Sequence, residues 1–343
     1  MTGPIVRYRR RESVGAARMP PFTRDELESA ARLVHRHVPP TPQHAWPTLA
    51  ARTGATVWVK HENHTPTGAF KARGGVTFVD WLRREHPEVT GVVSATRGNH
   101  GQSIARAATA AGLSARIVVP RGNSREKNAA MAAFGAELVE HGEDFDVARE
   151  EAARIADAEG LFLVPAFHRE LVRGVATWAF ELFTAVPDLD TVYVPIGCGS
   201  GICGTIAARD ALGLATRVVA VVSSEAPTAR LSVEAGRSVP TESARTMADG
   251  MAVRVPVPEA LAIYAEGAER FVEVTDDEVA EAMRICFSDT HNVAEGAGAA
   301  SLAALLAERE RQRGRRVGVV LCGGNVDTDV FAEVLLGRTP APF

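Results

Sequence analysis

The sequence predicts an α/β fold in which short strands of mainly parallel sheet alternate with helices in two lobes. Two observations carry this reading. Apolar runs of about five residues recur between segments whose apolar residues fall at helical spacing, and strands separated by helices of that length are joined by right-handed crossovers. The second observation is size. A chain of 343 residues can bury more than one core, which points to two domains or lobes.

The elements follow in order. Residues 1–20, rich in arginine, read as a loose basic tail. From the cap residue Thr23, the residues Leu27, Ala30, Ala31, Leu33 and Val34 keep helical spacing until Pro39 and Pro40 end the helix. Residues 41–47 form a proline-punctuated loop. The apolar run 55–59 precedes a tight turn made by Thr65, Pro66, Thr67 and Gly68, and a helix follows whose first turn carries Phe70 and Lys71. Residues 91–95 are a short buried strand, followed by the polar turn Thr96-Arg97-Gly98-Asn99-His100-Gly101-Gln102 and an alanine-rich helix over 103–111. The rhythm repeats through 115–119, a helix over 124–134, 136–139, a helix over 145–158, and 161–164.

In the second half, a helix over 174–185 precedes the strand 191–196. That strand ends in Gly197-Cys198-Gly199-Ser200-Gly201-Ile202-Cys203-Gly204, which opens another helix. Residues 217–222 form a strand and 226–258 an irregular region, a length that is often functional inside a compact domain. A strand near 271–274 leads through Thr275, a cap, to a helix over 276–288. The small-residue stretch Glu295-Gly296-Ala297-Gly298-Ala299-Ala300 opens a helix ending near Arg313. The buried strand 317–321 then runs into Cys322-Gly323-Gly324-Asn325-Val326-Asp327.

Composition narrows the partners. Hydrophobic residues at 46% and charged residues at 23% are those of a globular protein, and a formal net charge of -4 gives no electrostatic reason to expect nucleic acid. No apolar run approaches the roughly 18 residues that span a bilayer, and no signal-type apolar region follows the arginines, so no membrane contact and a cytoplasmic location are expected. Cys198, Cys203, Cys286 and Cys322 lack metal-type pairing and are too few to staple a chain of this size, so reduced thiols are expected.

Two motifs bear chemistry. A lysine amine near a helix N-terminus and partly desolvated has a lowered pKa, which suits Lys71 to form an imine with a carbonyl compound; the alternative is an ordinary surface lysine. Gly199, Gly201 and Gly204 fit G-x-G-x-x-G, and Glu225 follows the next strand where a ribose-binding acid would sit. The same loop also suits a single phosphate at a helix N-terminus, with Ser200 adding a hydroxyl, or a plain packing turn. A nicotinamide-dependent oxidoreductase therefore stays open at this point.

Taken together, the Lys71 segment, the Gly98 to Gln102 turn, the Gly197 to Gly204 loop, Ala248-Asp249-Gly250-Met251-Ala252-Val253, the Glu295 stretch and the Cys322 to Asp327 segment resemble the serine/threonine dehydratase family. These are fold-type II, tryptophan synthase β-like enzymes that use pyridoxal 5'-phosphate. The resemblance runs from about Thr23 to about Asp329. It implies a large cofactor-binding domain (21–90 and 166–343), a small substrate-carboxylate domain (91–165) and a homodimer.

By the same resemblance Lys71 holds the cofactor covalently and takes the substrate α-proton, and Phe70 packs against the cofactor. Asn99 hydrogen-bonds the ring hydroxyl oxygen. Gly197, Cys198, Gly199, Ser200 and Gly201 bind the phosphate. Thr96, Arg97, Gly98, Asn99 and His100 hold the substrate carboxylate, Cys322 faces the pyridine nitrogen as a neutral group, and Glu295 stands near the wall. The implied reaction is β-elimination, that is dehydration and deamination of a β-hydroxy amino acid such as L-threonine or L-serine to a 2-oxo acid and ammonia. The chain length leaves no room for a C-terminal regulatory domain, so a catabolic role is expected. A racemase or β-replacement synthase of the same fold is the alternative.

Two positions depart from the family pattern. Arg97 stands where relatives carry a small residue; a guanidinium stays protonated and cannot serve a racemase as a second base, but pointing inward it would bind an acidic substituent, as in a hydroxyaspartate. Leu231 stands where a cation-binding relative has an aspartate to go with Glu225, so no metal is expected.

Overall fold

The computed structural model describes residue 19 and residues 21–342. The expected basic tail lies outside the described residues except for Met19. In chain order the elements are α1 (Arg24–Val34), β1 (Gln43–Ala45), α2 (Pro47–Thr53), β2 (Thr56–His61), α3 (Lys71–Glu85), β3 (Gly91–Ala95), α4 (Asn99–Ala110), β4 (Ser114–Val119), α5 (Arg125–Ala133), β5 (Ala136–Glu140), α6 (Phe145–Glu159) and β6 (Phe162–Leu163). They continue with α7 (Arg169–Ala185), β7 (Thr191–Pro195), α8 (Ser200–Ala211), β8 (Arg217–Ser223), α9 (Thr228–Ala235), α10 (Pro258–Gly267), β9 (Arg270–Val274), α11 (Asp276–Thr290), α12 (Gly296–Ala307), α13 (Arg309–Gln312), β10 (Arg316–Leu321) and α14 (Thr328–Leu335). None of the described helices is long and apolar enough to cross a membrane.

Two sheets result. The larger has six strands in the order β1-β2-β10-β7-β8-β9, all parallel except the antiparallel edge strand β1. The smaller has four parallel strands in the order β5-β4-β3-β6. Alternation along its strands sends neighbouring side chains to opposite faces. Val92 and Ile117 join Phe78 and Leu82 of α3, Ile104 of α4, Met131 of α5 and Leu171 of α7. Val93 and Val118 pack instead on Ala148, Ala152 and Ile155 of α6. Both faces are covered, which is why these strands read as continuous apolar runs.

A buried ionic cluster fixes the segment that carries Lys71. Arg73, in the first turn of α3, is fully buried and donates to Glu62 and to Glu181 of α7. Lys60, the fifth residue of β2, donates to Glu181 at 2.6 Å and to the Thr41 carbonyl at 2.7 Å. Each buried charge thus has an opposite partner, without which burial would be prohibitive. The turn itself is held from two sides. The Ala69 N–H donates to Thr65 Oγ1 at 2.9 Å, while the Phe70 N–H donates to the Cys322 carbonyl at 3.0 Å and the Gly324 N–H to the Gly68 carbonyl at 2.9 Å.

The structure departs from the sequence reading at several elements. The loop over 41–47 contains β1, and Pro47 opens α2. Helix α4 begins at Asn99 rather than 103, because Thr96 Oγ1 accepts the N–H of Gly98 (2.9 Å) and of Gly101 (3.3 Å) and so supports a polar first turn. Helix α7 begins at Arg169, capped by His168, rather than at Gly174. Gly174 serves a crossing: a Cβ there would lie 2.3 Å from the Arg73 carbonyl oxygen of α3. The region 226–258 holds α9, and the helix expected to reach Arg313 ends at Ala307 before the short α13.

Candidate active site

The ends of β3, β7 and β10 and the β2–α3 turn open into one cleft between the two sheets, as expected of parallel strands at their carboxyl ends. It encloses about 930 Å³ of space, part of it open to solvent. Phe70, Lys71, Thr96, Arg97, Gly98, Asn99, His100, Gly197, Cys198, Gly199, Ser200, Gly201 and Cys322 all line it. Sequence segments more than 200 residues apart in number, from Phe70 to Cys322, are brought together there.

Lys71 stands at the start of α3, its Nζ donating to Ser200 Oγ at 2.9 Å and lying 5.1 Å from the centre of the Phe70 ring. Burial pushes its pKa below the ordinary lysine range. An opposing pull from Cys198 and Cys322 would require thiolates, and burial pushes both cysteines up, so they stay protonated. The neutral amine that a carbonyl condensation needs is thereby favoured.

Backbone shape makes the opposite wall. Gly199 has φ 97°, a left-handed conformation that favours glycine, and a Cβ on Gly197 would lie 2.2 Å from the Gly250 carbonyl oxygen. No side chain caps α8. Its first-turn N–H groups therefore lack intrahelical partners, and with the Ser200 hydroxyl and the helix dipole they form a cradle for a phosphate-sized anion. The third glycine of the pattern does other work: a Cβ on Gly204 would lie 3.0 Å from Ala176 of α7. Glu225 is exposed beyond β8 and does not line the cleft. The dinucleotide reading of the loop thus loses its ribose acid. A pyridoxal phosphate fits, since the desolvated amine and the anion cradle meet at Ser200.

The remaining wall is polar. Asn99 Nδ2 donates to Glu295 Oε1 at 2.6 Å, and Asn99 Oδ1 accepts from Asn325 Nδ2 at 2.8 Å. Lys127 of α5 donates to Asp249 and lies 3.1 Å from Glu295 Oε2. Burial alone would push the Lys127 pKa down, but Asp249 and Glu295 hold it up and charged. Lys127 was not legible in the sequence, where an isolated lysine reads as solvated; its one signal is its place three residues after the cap Ser124. Burial, then the nearby Lys71, pushes His100 down to about 3, so its imidazole is neutral. Its Nε2 and the Nε of Arg97 are buried without a partner among the described residues. Cys322, one residue beyond β10, donates its S–H to the Ala297 carbonyl at 3.4 Å.

The family model for pyridoxal-phosphate dependent enzymes matches residues 34–323. The chain is 32% identical to an L-threonine ammonia-lyase of Thermotoga maritima over 92% of this chain and 78% of that one. It is also 32% identical to an L-threo-3-hydroxyaspartate ammonia-lyase of a Pseudomonas species, over 87% of this chain and 93% of the relative. Among solved structures, a pyridoxal 5'-phosphate-dependent aspartate racemase superposes with a TM-score of 0.85 at 28% identity, covering 91% of this chain and 98% of that one. With the family matched over most of its length and a site that fits the cofactor, the chain belongs to the pyridoxal-phosphate dependent enzymes, in the serine/threonine dehydratase family of fold type II.

Proposed function

We propose that this pyridoxal-phosphate-dependent ammonia-lyase removes water and then ammonia from a β-hydroxy amino acid, of which L-serine and L-threonine are the simplest members, giving pyruvate and 2-oxobutanoate. The observation that carries the proposal is the pairing, in one cleft, of a desolvated Lys71 amine with a thiol at Cys322 that burial keeps protonated. When bound, the cofactor supplies a sink for the electron pair left at Cα after proton loss.

The chain's own groups do the rest. Lys71 anchors the cofactor and, once displaced, takes the α-proton as a neutral amine. Gly197, Cys198, Gly199, Ser200 and Gly201 hold the phosphate through the N-terminus of α8, with Phe70 packed beside them. Asn99, fixed by Glu295 and Asn325, orients the ring hydroxyl. The substrate carboxylate rests on the turn Thr96 to His100. Within it the Gly98 N–H is already bound to Thr96, which leaves the first-turn N–H groups of Asn99 and His100 as donors. With the cofactor bound, Cys322 would bring no negative charge to the ring nitrogen, which would disfavour holding electrons on the ring and favour loss of the β-hydroxyl, leaving as water with one proton.

The small sheet with its helices (91–165) is taken as the substrate-carboxylate domain and the remainder (21–90 and 166–343) as the cofactor domain, with Phe78 and Leu171 reaching across to the small sheet's core. A catabolic role, a homodimer and a cytoplasmic location are parts of the same proposal, tested separately by growth on the substrate, sedimentation and fractionation. A racemase is a second reading with one observation behind it, the neutral His100 whose Nε2 has no partner among the described residues. Against it, the guanidinium of Arg97 offers donors and no acceptor atom, so the turn brings no second base. The holoenzyme should release a 2-oxo acid from a panel of β-hydroxy amino acids faster than it forms D-enantiomers. Release from none of them, or faster racemisation, would reject the lyase.

A further inference from the structure

We propose that Arg97 binds a second carboxylate, on the substrate side chain, so that the preferred substrate is a β-hydroxy amino dicarboxylic acid of the 3-hydroxyaspartate class. The inference rests on the ammonia-lyase reading and narrows it.

Lys71, Arg97 and Lys127 are the basic groups of the cleft, and Asp249 and Glu295 its acidic ones. Lys127 takes both acids. Lys71 is directed at Ser200 and the cofactor anchor. Arg97 is left with no carboxylate partner among the described residues, and its Nε is buried without a hydrogen bond. Arg116 and Arg316 also have a buried Nε without a hydrogen bond, but each has a carboxylate partner, Arg116 in Glu137 and Glu159 and Arg316 in Asp188, as do the buried Arg73 in Glu62 and Glu181 and Arg270 in Glu308. A guanidinium whose buried N–H goes unmet lowers stability, and a ligand carboxylate would meet it.

Placement decides which carboxylate. Arg97 belongs to the same turn as the donors to the substrate's α-carboxylate, but those donors are backbone N–H groups at the start of α4. The N–H groups of Asn99 and His100 suffice for one carboxylate, so the guanidinium is surplus to it. In an amino dicarboxylic acid of four carbons the two carboxylates sit on adjacent carbons, and one turn can serve both. The methyl of threonine or the hydrogen of serine would leave the fork unmet.

A phosphorylated side chain is disfavoured by the same charge balance. A phosphate brings close to two charges, and only one wall cation remains for it. The planar fork of a single guanidinium matches a carboxylate. An aminated side chain would meet like charge.

The test compares wild type with Arg97→Ser and Arg97→Lys. Steady-state kcat/KM is measured on L-threo-3-hydroxyaspartate, L-serine and L-threonine, and calorimetry compares succinate with propionate as ligands of the holoenzyme. Wild type should favour hydroxyaspartate and bind succinate more tightly than propionate. Arg97→Ser should lose about 100-fold or more in kcat/KM on hydroxyaspartate, a loss at least about 10-fold greater than its loss on serine or threonine. It should also lose the preference for succinate, and Arg97→Lys should fall between the two. Equal losses on all three substrates would assign Arg97 to the α-carboxylate or the fold, and an unchanged ranking would remove it from the site; either overturns the proposal. Should wild type release no 2-oxo acid from any of the three, the lyase reading fails. The succinate titration, which needs no turnover, then still decides the role of Arg97: a preference that Arg97→Ser abolishes supports it, and no preference overturns it.

Discussion

At the scale of single residues, the proposed chemistry depends on keeping two groups uncharged. Burial lowers the Lys71 pKa and raises that of Cys322, and neither side chain has a fixed charge of opposite sign in contact to reverse it. Replacing Cys322 with aspartate puts a carboxylate where the ring nitrogen is proposed to lie. Cys322→Asp should lower 2-oxo acid release by about 100-fold and raise the ratio of α-hydrogen exchange with solvent to elimination. Cys322→Ser should stay within about 10-fold of wild type. Deuterium exchange followed alongside 2-oxo acid formation checks this, and an aspartate variant as fast as wild type would remove Cys322 from the mechanism. The residues legible in the sequence were those on strand-to-helix turns, where composition is unusual: Lys71, the Thr96 to His100 turn, the glycine loop and Cys322. Lys127 was not, because its burial comes from Asp249 and Glu295 on segments far away in the chain.

Among the elements, α3 matters most, since it presents Lys71 from above a cluster of buried charges. Glu181 accepts from both Arg73 and Lys60. Burial tends to raise its pKa, but those two cations prevail and hold it below the ordinary value of 4.5. Between the lowered folded value and 4.5 the unfolded chain binds more protons, so stability rises with pH there. The contribution is complete above 4.5 and is lost as pH falls through the folded value. Glu181→Gln should cost about 3 kcal/mol at neutral pH and flatten the acid limb of the stability curve. Melting temperatures across that range check it, and an unchanged melt at pH 7 would contradict it. Elements with local chemistry were legible: the caps Thr23 and Thr275, which the structure completes into boxes with Glu26 and Glu278, mark α1 and α11, and β3 is a short run of small and apolar residues. The three-residue edge strand β1 has two exposed residues and no alternation to read. Helix α9 was hidden by its polar flanks, although Gly236 at φ 65° ends it in the ordinary way.

Across the whole molecule, the two sheets are tied by helix ends that cap one another. Asp327 accepts from Ser124 Oγ and from the N–H groups of Arg125 and Glu126 at the start of α5. Glu126 in turn accepts the Thr328 N–H at 2.8 Å at the start of α14. Arg254 adds a second tie to Asp144 and Asp146 beside α6. Because these contacts set the distance across the cleft, Asp327→Ala should cost about 1–2 kcal/mol of stability and raise KM more than it lowers kcat. Thermal melts and steady-state kinetics check both parts. A variant that melts earlier with KM unchanged would show that the caps stabilise the fold without positioning the lobes.

The central claim is that one lysine both holds the cofactor and moves the α-proton, so the decisive measurement is on Lys71→Ala. Its visible spectrum and its 2-oxo acid release are followed with L-serine, L-threonine and L-threo-3-hydroxyaspartate after addition of pyridoxal phosphate. The lysine-bound absorption band should vanish and turnover should fall by about 1,000-fold or more on every substrate. A variant that keeps the band and turns over at the wild-type rate would contradict the assignment of Lys71.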